Sequence, residues 1–317
     1  MDHGVTVRAP CRLHFGMFSF GHADRPQFGG VGAMIDPPAV EVRISPSPAF
    51  AVRGALPERV VKFVDKLVEQ WKLGTTPACE LHVKAPRNHT GLGVGTQLAL
   101  AVAVGMQRFL ELPPLEVPYV ANSLGRGARS AIGTIGFEYG GLIVDGGKYP
   151  GQLFNPFLRE ALPKDWRFVL ICSREKQGFT GEVEADAFAR LPPVPESVTA
   201  ELQRITYKEL TLAVAWKDCA AFGDAVYRFG RLAGECFAPV QGGPFANAHT
   251  AKLVKAIRDH GVPGVGQSSW GPTVFAVADG EGAAQSLVDW LRTQDFAAKH
   301  TICIARPNNT GASLREL

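Results

Sequence analysis

The chain has 317 residues, 46% of them hydrophobic, and a formal net charge of +3 at pH 7. Because this charge is small and no run of lysines and arginines occurs, the composition does not indicate a nucleic-acid partner. No segment reaches the roughly 18 apolar residues of a membrane helix, and the start MDHGVTVRAP lacks a signal peptide's apolar run, so we expect a cytoplasmic protein without a membrane partner.

The first predicted element is a strand that includes residues 12–15, with the sequence RLHF. Side chains alternate across a strand, so Arg12 and His14 share one face. Two cationic or hydrogen-bond-donating groups side by side suit a phosphate or a carboxylate. A purely structural histidine is the alternative interpretation of His14.

The most informative segment is a glycine loop before an apolar helix, which follows an amphipathic helix over 58–71 and a strand over 79–85. Residues 89–103 read HTGLGVGTQLALAVA, and their glycines allow positive φ and close approach of the backbone to a ligand. Free N–H groups and the positive dipole end of the helix, predicted over 96–109, favour a phosphate or pyrophosphate. The alternative is a tight loop before a buried helix. The residues expected at the ligand are Gly91, Gly93, Gly95, Thr96 and Gln97.

A second glycine-rich segment, residues 125–148, reads GRGARSAIGTIGFEYGGLIVDGGK. Arg126 and Arg129 bring two fixed positive charges to a flexible loop, and guanidinium groups bind phosphate or carboxylate through paired hydrogen bonds. We expect both arginines at an anion, with a solvated basic loop as the alternative. Asp145 follows a strand and precedes a double-glycine turn, which predicts an exposed and oriented carboxylate or, alternatively, a turn-capping one.

The second half of the chain mixes helices with strands, starting from a strand at WRFVLIC and a long helical stretch over 200–235. The segment VPGVGQSSWGPTVFAVAD, residues 262–279, predicts a polar turn before a buried strand. We expect its Gly266, Ser268 and Ser269 beside the first glycine loop, with an ordinary glycine-serine hairpin as the alternative. The other predicted elements are helices over 247–260 and 282–292 and strands over 273–278 and 300–305.

Four segments together resemble one known family. The first glycine loop is similar to the second signature of the GHMP kinase superfamily, Pro-x-x-x-Gly-Leu-Gly-Ser-Ser-Ala, but Val94 and Gly95 replace the two serines, one of which helps to hold Mg²⁺ in the kinases. Gly-Leu-Gly-x-Gly-Thr-Gln resembles instead the β-ribofuranosylaminobenzene 5′-phosphate synthases, a non-kinase branch of the superfamily. The other segments that carry the resemblance are residues 11–34, 125–148 and 262–279.

The resemblance implies an α+β fold with the two domains of the GHMP kinases. A domain like ribosomal protein S5 domain 2 would take residues 1–160 and carry the glycine loop. A ferredoxin-like C-terminal domain would take residues 161–317.

The family resemblance implies a reaction of phosphoribosyl pyrophosphate with 4-aminobenzoate that releases pyrophosphate and CO₂, in tetrahydromethanopterin biosynthesis. It implies Mg²⁺ and no organic cofactor, with the glycine loop as a pyrophosphate cradle. Arg25 or Arg126 would hold the carboxylate of the acceptor, and Asp145 would meet Mg²⁺ or a ribose hydroxyl. The residues implied as catalytic are Asp145, His14 and Arg126, and Arg12, Arg25 and Arg129 are implied in substrate binding.

Two other functions stay open from the sequence. One is an ATP-dependent small-molecule kinase, against which the replaced serines and the absence of a carboxylate at 130–134 argue. The other is a relative that binds metabolites without catalysis. The superfamily also suggests a homodimer, and the sequence leaves open whether the benzoate carries an amino group, a hydroxyl or another substituent.

Overall fold

The computed structural model describes residues 4–114, 116–153, 155–175 and 181–317. Two long antiparallel strands, β1 (Val5–Met17) and β2 (Gly30–Pro46), form its centre. In β1 every second residue from Val5 to Phe15 is a buried hydrophobic residue, as expected of a strand with one face on the core. Regular pairing of residues 11–14 with β2 keeps Arg12 and His14 together on the other face, as predicted.

Two helices of the first half pack against this centre. α1 (Pro57–Gln70) turns an apolar stripe that includes Phe63 toward α2 (Val94–Phe109), which lies directly on β1 and β2. Every residue from Leu98 to Ala103 is buried, which explains why α2 has no polar face. α2 begins two residues before its predicted start. The other elements of this half are β3 (Ala51–Gly54), β4 (Cys79–Lys84), α3 (Val117–Ser123), α4 (Ile132–Tyr139), β5 (Leu142–Asp145) and β6 (Phe157–Glu160).

The long helical stretch predicted over 200–235 is interrupted. Lys217 adopts a left-handed conformation with φ of 57°, and Asp218 then starts a new helix by accepting a hydrogen bond from the N–H of Ala221 at 2.9 Å. The segment is therefore α6 (Glu196–Ile205), a π-helical turn (Thr206–Leu210), α7 (Thr211–Trp216) and α8 (Cys219–Glu235), preceded in the chain by β7 (Trp166–Ser173) and α5 (Gly181–Arg190).

The later predicted elements all occur close to their expected bounds. They are α10 (Ala248–Asp259), β9 (Val274–Asp279), α11 (Gly280–Arg292) and β10 (His300–Pro307). The structure adds a short α9 (Ala238–Gln241), β8 (Val265–Gln267), a 3₁₀ turn (Asp295–Ala297) and β11 (Ser313–Glu316).

The strands of the described residues form one eleven-stranded sheet that joins the two halves of the chain. The order is β11-β1-β2-β10-β7-β9-β8, with β4-β3 and β5-β6 attached to β2. Phe15 of β1 packs on Phe222 of α8 and Phe275 of β9, with ring centroids 6.3 and 5.2 Å apart, so the main hydrophobic core also crosses from one half to the other. The predicted α+β class is confirmed.

The predicted boundary at residue 160 falls between β6 and β7, but strands that follow this boundary pair with strands that precede it. The C-terminal strand β11 returns to pair with β1, and β10 pairs with both β7 and β2. Within the described part of the chain, no helix combines the length and the apolar character needed to cross a membrane.

Candidate active site

A cleft of about 500 Å³ lies where both glycine-rich loops meet β1. Its walls come from β1, the loop before α2, the loop before α4, the loop between β8 and β9, and one side chain each of α1 and α5. Four arginines line it: Arg12, Arg59, Arg126 and Arg129. Among the described residues, Glu184 is the one carboxylate at its surface, so the cleft carries a clear excess of positive charge.

The loop before α2 ends in a helix cap that only glycine adopts easily. Gly93 caps α2 with φ of 70°, and its carbonyl accepts hydrogen bonds from the N–H groups of Thr96 and Gln97 at 3.0 and 3.2 Å. These two N–H groups are therefore used inside the turn. The N–H groups of Val94 and Gly95 precede them and are the first-turn donors that a ligand can use.

Arg12 lies directly beside this cap. A Cβ atom added to Gly93 would be 3.1 Å from Cβ and 3.3 Å from Nε of Arg12. Nε is buried and has no hydrogen-bond partner, and burial lowers the pKa of the Arg12 guanidinium to about 10. A buried guanidinium nitrogen without a hydrogen-bond partner is costly, so this group suits an anionic ligand.

Arg126 and Arg59 lie beside Gly95, which is two residues after Gly93 in the chain. A Cβ atom on Gly95 would be 2.9 Å from a terminal nitrogen of Arg59 and 3.6 Å from one of Arg126. Nε of Arg126 is also buried without a partner, and burial, followed by the nearby Arg59, lowers the pKa of Arg126 to about 10. Sequence analysis missed Arg59, because α1 carries several basic residues and only the fold brings this one to the cleft.

His14 lines the cleft as a neutral group. It is 3% exposed, and burial together with the charge of Arg12 holds its pKa well below the usual 6.5. Of the two possibilities that the sequence left open here, a cation or a hydrogen-bonding group, the structure therefore provides the second. Nε2 of His14 lies 3.2 Å from Oγ of Ser130, so the ring presents a hydrogen-bonding nitrogen rather than a charge.

The segment around Ser268 links the loop before α2 to β1. Ser268 is fully buried, its hydroxyl donates to the carbonyl of Gly91 at 2.7 Å, and it accepts the backbone N–H of His14 at 3.0 Å. Ser269 lines the cleft and donates its N–H to the carbonyl of His14 at 3.0 Å. Gly266 lies in β8, where a Cβ would be 2.7 Å from the Phe275 ring. Ser268 and Gly266 thus position the loops rather than face a ligand.

Arg129 is held at the mouth of the cleft by α5. It forms an ion pair with Glu184 at 2.8 Å, and its guanidinium lies 4.7 Å from the ring centroid of Phe188. Both partners come from the second half of the chain. The remaining sequence-derived residues of the cleft wall are Gly91, Gly95 and Thr96.

Asp145 does not lie in the cleft, which corrects the prediction of an exposed catalytic or metal-binding carboxylate. It is fully buried, with Oδ2 accepting the N–H of Ala131 at 2.8 Å and Oδ1 accepting Gly147 N–H at 2.9 Å and Asn155 Nδ2 at 2.7 Å. Burial raises its pKa, against the opposing effect of these bonds. Asp145 caps the turn after β5 and holds the start of α4.

Two further predicted residues also lie elsewhere. Arg25 pairs with Asp24 and Glu196 at 3.4 and 3.7 Å and is not part of the cleft wall. Gln97 is fully buried and donates from Nε2 to the carbonyl of Gly133 at 2.8 Å, which fastens α2 to α4. The described residues contain no group of three or more His, Cys, Asp or Glu side chains that could hold a metal ion.

Comparison with known proteins identifies the family of this chain. The beta-ribofuranosylphenol 5'-phosphate synthase of Archaeoglobus fulgidus is 30% identical to this chain, over 95% of the chain and 97% of the relative. The chain belongs to the beta-ribofuranosylphenol 5'-phosphate synthase family. The synthase of Methanothermobacter thermautotrophicus is 26% identical, over 87% of the chain and 89% of the relative. The predicted family resemblance is thus confirmed.

One family model and several solved structures confirm the GHMP-kinase fold of this chain. The family model for the GHMP kinases C terminal matches residues 210–294. A homoserine kinase from Cytophaga hutchinsonii superposes with a TM-score of 0.66 at 18% identity, covering 99% of this chain and 98% of the other. Mevalonate diphosphate decarboxylase from Staphylococcus aureus superposes with a TM-score of 0.66 at 15% identity, again covering 99% of this chain and 98% of the other. At these identities the likeness concerns the fold alone.

The buried bonds of Asp145 generate a test of its structural role. We expect Asp145→Asn to lower the free energy of unfolding by about 1–3 kcal/mol, because an amide presents donors where the carboxylate accepts three bonds. The folded fraction should keep its affinity for anions. Urea unfolding and pyrophosphate titration measure the two effects. Unchanged stability together with lost catalysis would instead restore the catalytic assignment.

The cap at Gly93 generates a second test, with a matched control. Gly93→Ala forces a side chain to positive φ, costing about 1–2 kcal/mol, and also pushes on Arg12. Gly74 has φ of 75° and nothing within 4 Å of an added Cβ, so Gly74→Ala should cost similar stability alone. We expect only Gly93→Ala to weaken pyrophosphate binding, by about tenfold, in calorimetric titration. Equal pyrophosphate affinities in both variants would make the loop a packing feature.

Proposed function

We propose that this chain is a pentosyltransferase that joins phosphoribosyl pyrophosphate to a 4-hydroxybenzoate-type acceptor, releasing pyrophosphate and CO₂. One observation carries the proposal, which is the set of partly buried guanidinium groups beside a capped helix N-terminus, with Glu184 as the one carboxylate at the cleft surface among the described residues. The names of the relatives specify a ribofuranosylphenol phosphate, so a hydroxyl on the acceptor ring is favoured over the amino group first expected. Tetrahydromethanopterin biosynthesis remains our proposal for the pathway.

The first chemical demand is stabilisation of the leaving diphosphate. Its departure leaves an oxocarbenium-like ribose, and fixed donors aimed at the leaving anion lower the barrier without rearrangement. The N–H groups at the start of α2 and the guanidinium of Arg12 supply such donors at Gly93. Arg126 supplies another at Gly95. Because these groups are partly shielded from water, their interaction with an anion is stronger than that of fully solvated groups.

The second demand is orientation of the aromatic acceptor. Next to the anion site the cleft is bounded by Trp270, whose ring lies 4.7 Å from Phe237 and 5.7 Å from Phe188. These edge-to-face contacts fix the Trp270 ring, and an acceptor ring stacked on it would be held in one plane, with the carbon bearing its carboxylate facing the anomeric carbon. Neutral His14 lines the same cleft as Trp270 and Arg12 and suits a phenolic hydroxyl better than a second anion.

Mg²⁺ fits this cleft only when it binds together with the substrate. The cleft offers four guanidinium groups and, among the described residues, the single carboxylate of Glu184, which is a poor set of ligands for a resident cation. Mg²⁺ would be held chiefly by diphosphate oxygens, with Glu184 as the nearest protein ligand, and would neutralise charge on the leaving group. Assembly as a homodimer and a cytoplasmic location also remain proposals.

The reaction itself tests the proposal. We expect protein incubated with phosphoribosyl pyrophosphate, Mg²⁺ and carboxyl-labelled 4-hydroxybenzoate to release labelled CO₂ and pyrophosphate in equal amounts, and faster than with 4-aminobenzoate. Binding of phosphoribosyl pyrophosphate without CO₂ release would identify a silent metabolite-binding relative. Faster turnover of 4-aminobenzoate would reverse the choice of acceptor.

The kinase alternative leads to an opposite expectation. Val94 and Gly95 lack the hydroxyls of the kinase signature, and residues 130–134 contain no carboxylate that could act as a base. We therefore expect no ADP formation above background when the protein is given ATP, Mg²⁺ and homoserine or mevalonate. Substrate-stimulated ADP release, followed by a coupled spectrophotometric assay, would overturn the assignment to a non-kinase branch.

A further inference from the structure

Two guanidinium groups converge on one spot at the first turn of α2. Arg59 reaches it from α1 and Arg126 from the loop before α4, and both lie close to where a Cβ of Gly95 would be. Their Cζ atoms lie 6.0 and 5.4 Å from the ring centroid of Phe63, which is 4% exposed and therefore fixed. The shared ring holds the two cations side by side.

This arrangement is unfavourable without an anion. Like charges repel, the positive end of the α2 dipole lies at the same place, and both guanidinium groups are partly withdrawn from water. Burial lowers the pKa of Arg59, and that of Arg126 is lowered by burial and by Arg59. Throughout the described chain neither arginine forms an ion pair with a carboxylate, in contrast to Arg129 with Glu184. A ligand anion is the partner that would balance this pair.

We propose that Arg59 and Arg126 together clamp the terminal phosphate of the diphosphate group of the donor substrate. The inference rests on the proposed function and adds Arg59 to the residues that bind substrate. Arg12 lies at Gly93 and the arginine pair lies at Gly95, two residues further along the same turn. Two adjacent anion sites fit two directly bonded phosphates better than phosphates separated by a ribose. Paired guanidinium groups on the outer phosphate stabilise the charge that accumulates as pyrophosphate leaves.

Binding of the separate anions tests this clamp without any need for catalysis. Inorganic pyrophosphate and ribose 5-phosphate are titrated calorimetrically into the parent protein, Arg59→Gln and Lys62→Gln. Lys62 is an exposed cation on the same helix, so its variant loses the same charge without losing a contact at Gly95. We expect Arg59→Gln to weaken pyrophosphate binding about tenfold or more and to leave ribose 5-phosphate within about twofold. Lys62→Gln should leave both within about twofold.

A conservative variant separates a contact from a structural role. Arg59→Lys keeps the charge but loses the planar fork, so its pyrophosphate affinity should lie between those of the parent and Arg59→Gln. In turnover, both Arg59 variants should raise KM for phosphoribosyl pyrophosphate and leave KM for the benzoate unchanged. Thermal unfolding of each variant confirms that the compared proteins are folded, and Arg59→Lys carries the test if Arg59→Gln does not fold.

Several results would overturn the clamp. Pyrophosphate affinity unchanged in a folded Arg59 variant would do so, as would an equal loss in Lys62→Gln or a loss confined to ribose 5-phosphate. If the parent protein releases CO₂ while the Arg59 variants bind normally, the clamp is wrong and the proposed function stands. If pyrophosphate binding depends on Arg59 but no CO₂ is released, the proposed function is wrong and the clamp stands. A parent protein that binds neither anion rejects both.

Discussion

The contact between the two glycine segments is the constraint on which the cleft depends. A Cβ on Gly91 would overlap the carbonyl of Ser268, and one on Gly271 would overlap the backbone of Gly91 and Thr90. The two segments therefore contact each other backbone to backbone. The Ser268 hydroxyl then links the Gly91 carbonyl to the N–H of His14. Segments that are far apart in sequence are thereby fixed around one cavity, and the charged side chains are arranged from that frame.

The positive charge of the cleft does not favour the stability of the empty protein. Buried guanidinium nitrogens without partners, at Arg12 and Arg126, oppose folding, and in the proposed function a bound diphosphate would remove that opposition by direct hydrogen bonds. The rest of the chain can carry this cost because a large core crosses both halves, with Phe15 in contact with both Phe222 and Phe275. The pre-organised charge therefore depends on the rigid core, because a less tightly packed core would let the arginine side chains turn toward solvent.

Local patterns predicted local features well. Alternation in RLHF put Arg12 and His14 on one face, and the glycine loop before an apolar run gave a capped helix N-terminus at Gly93. The same kind of reasoning misjudged Asp145, because the sequence of a strand followed by two glycines is equally compatible with an exposed and a turn-capping carboxylate. It also missed the break at Lys217, since the flanking residues have the apolar spacing of one continuous helix.

The sequence by itself determined most of the elements, the family resemblance and the glycine loop that caps α2, because periodicity, glycine spacing and residue type act over short distances. Only the tertiary structure decided which charges share the cleft. Arg59 is one of several basic residues on α1, and packing on Phe63 brings its guanidinium to α2 while Arg25 is left with Asp24 and Glu196. It also decided that His14 is neutral, because burial and the charge of Arg12 set its pKa and neither follows from the neighbouring sequence.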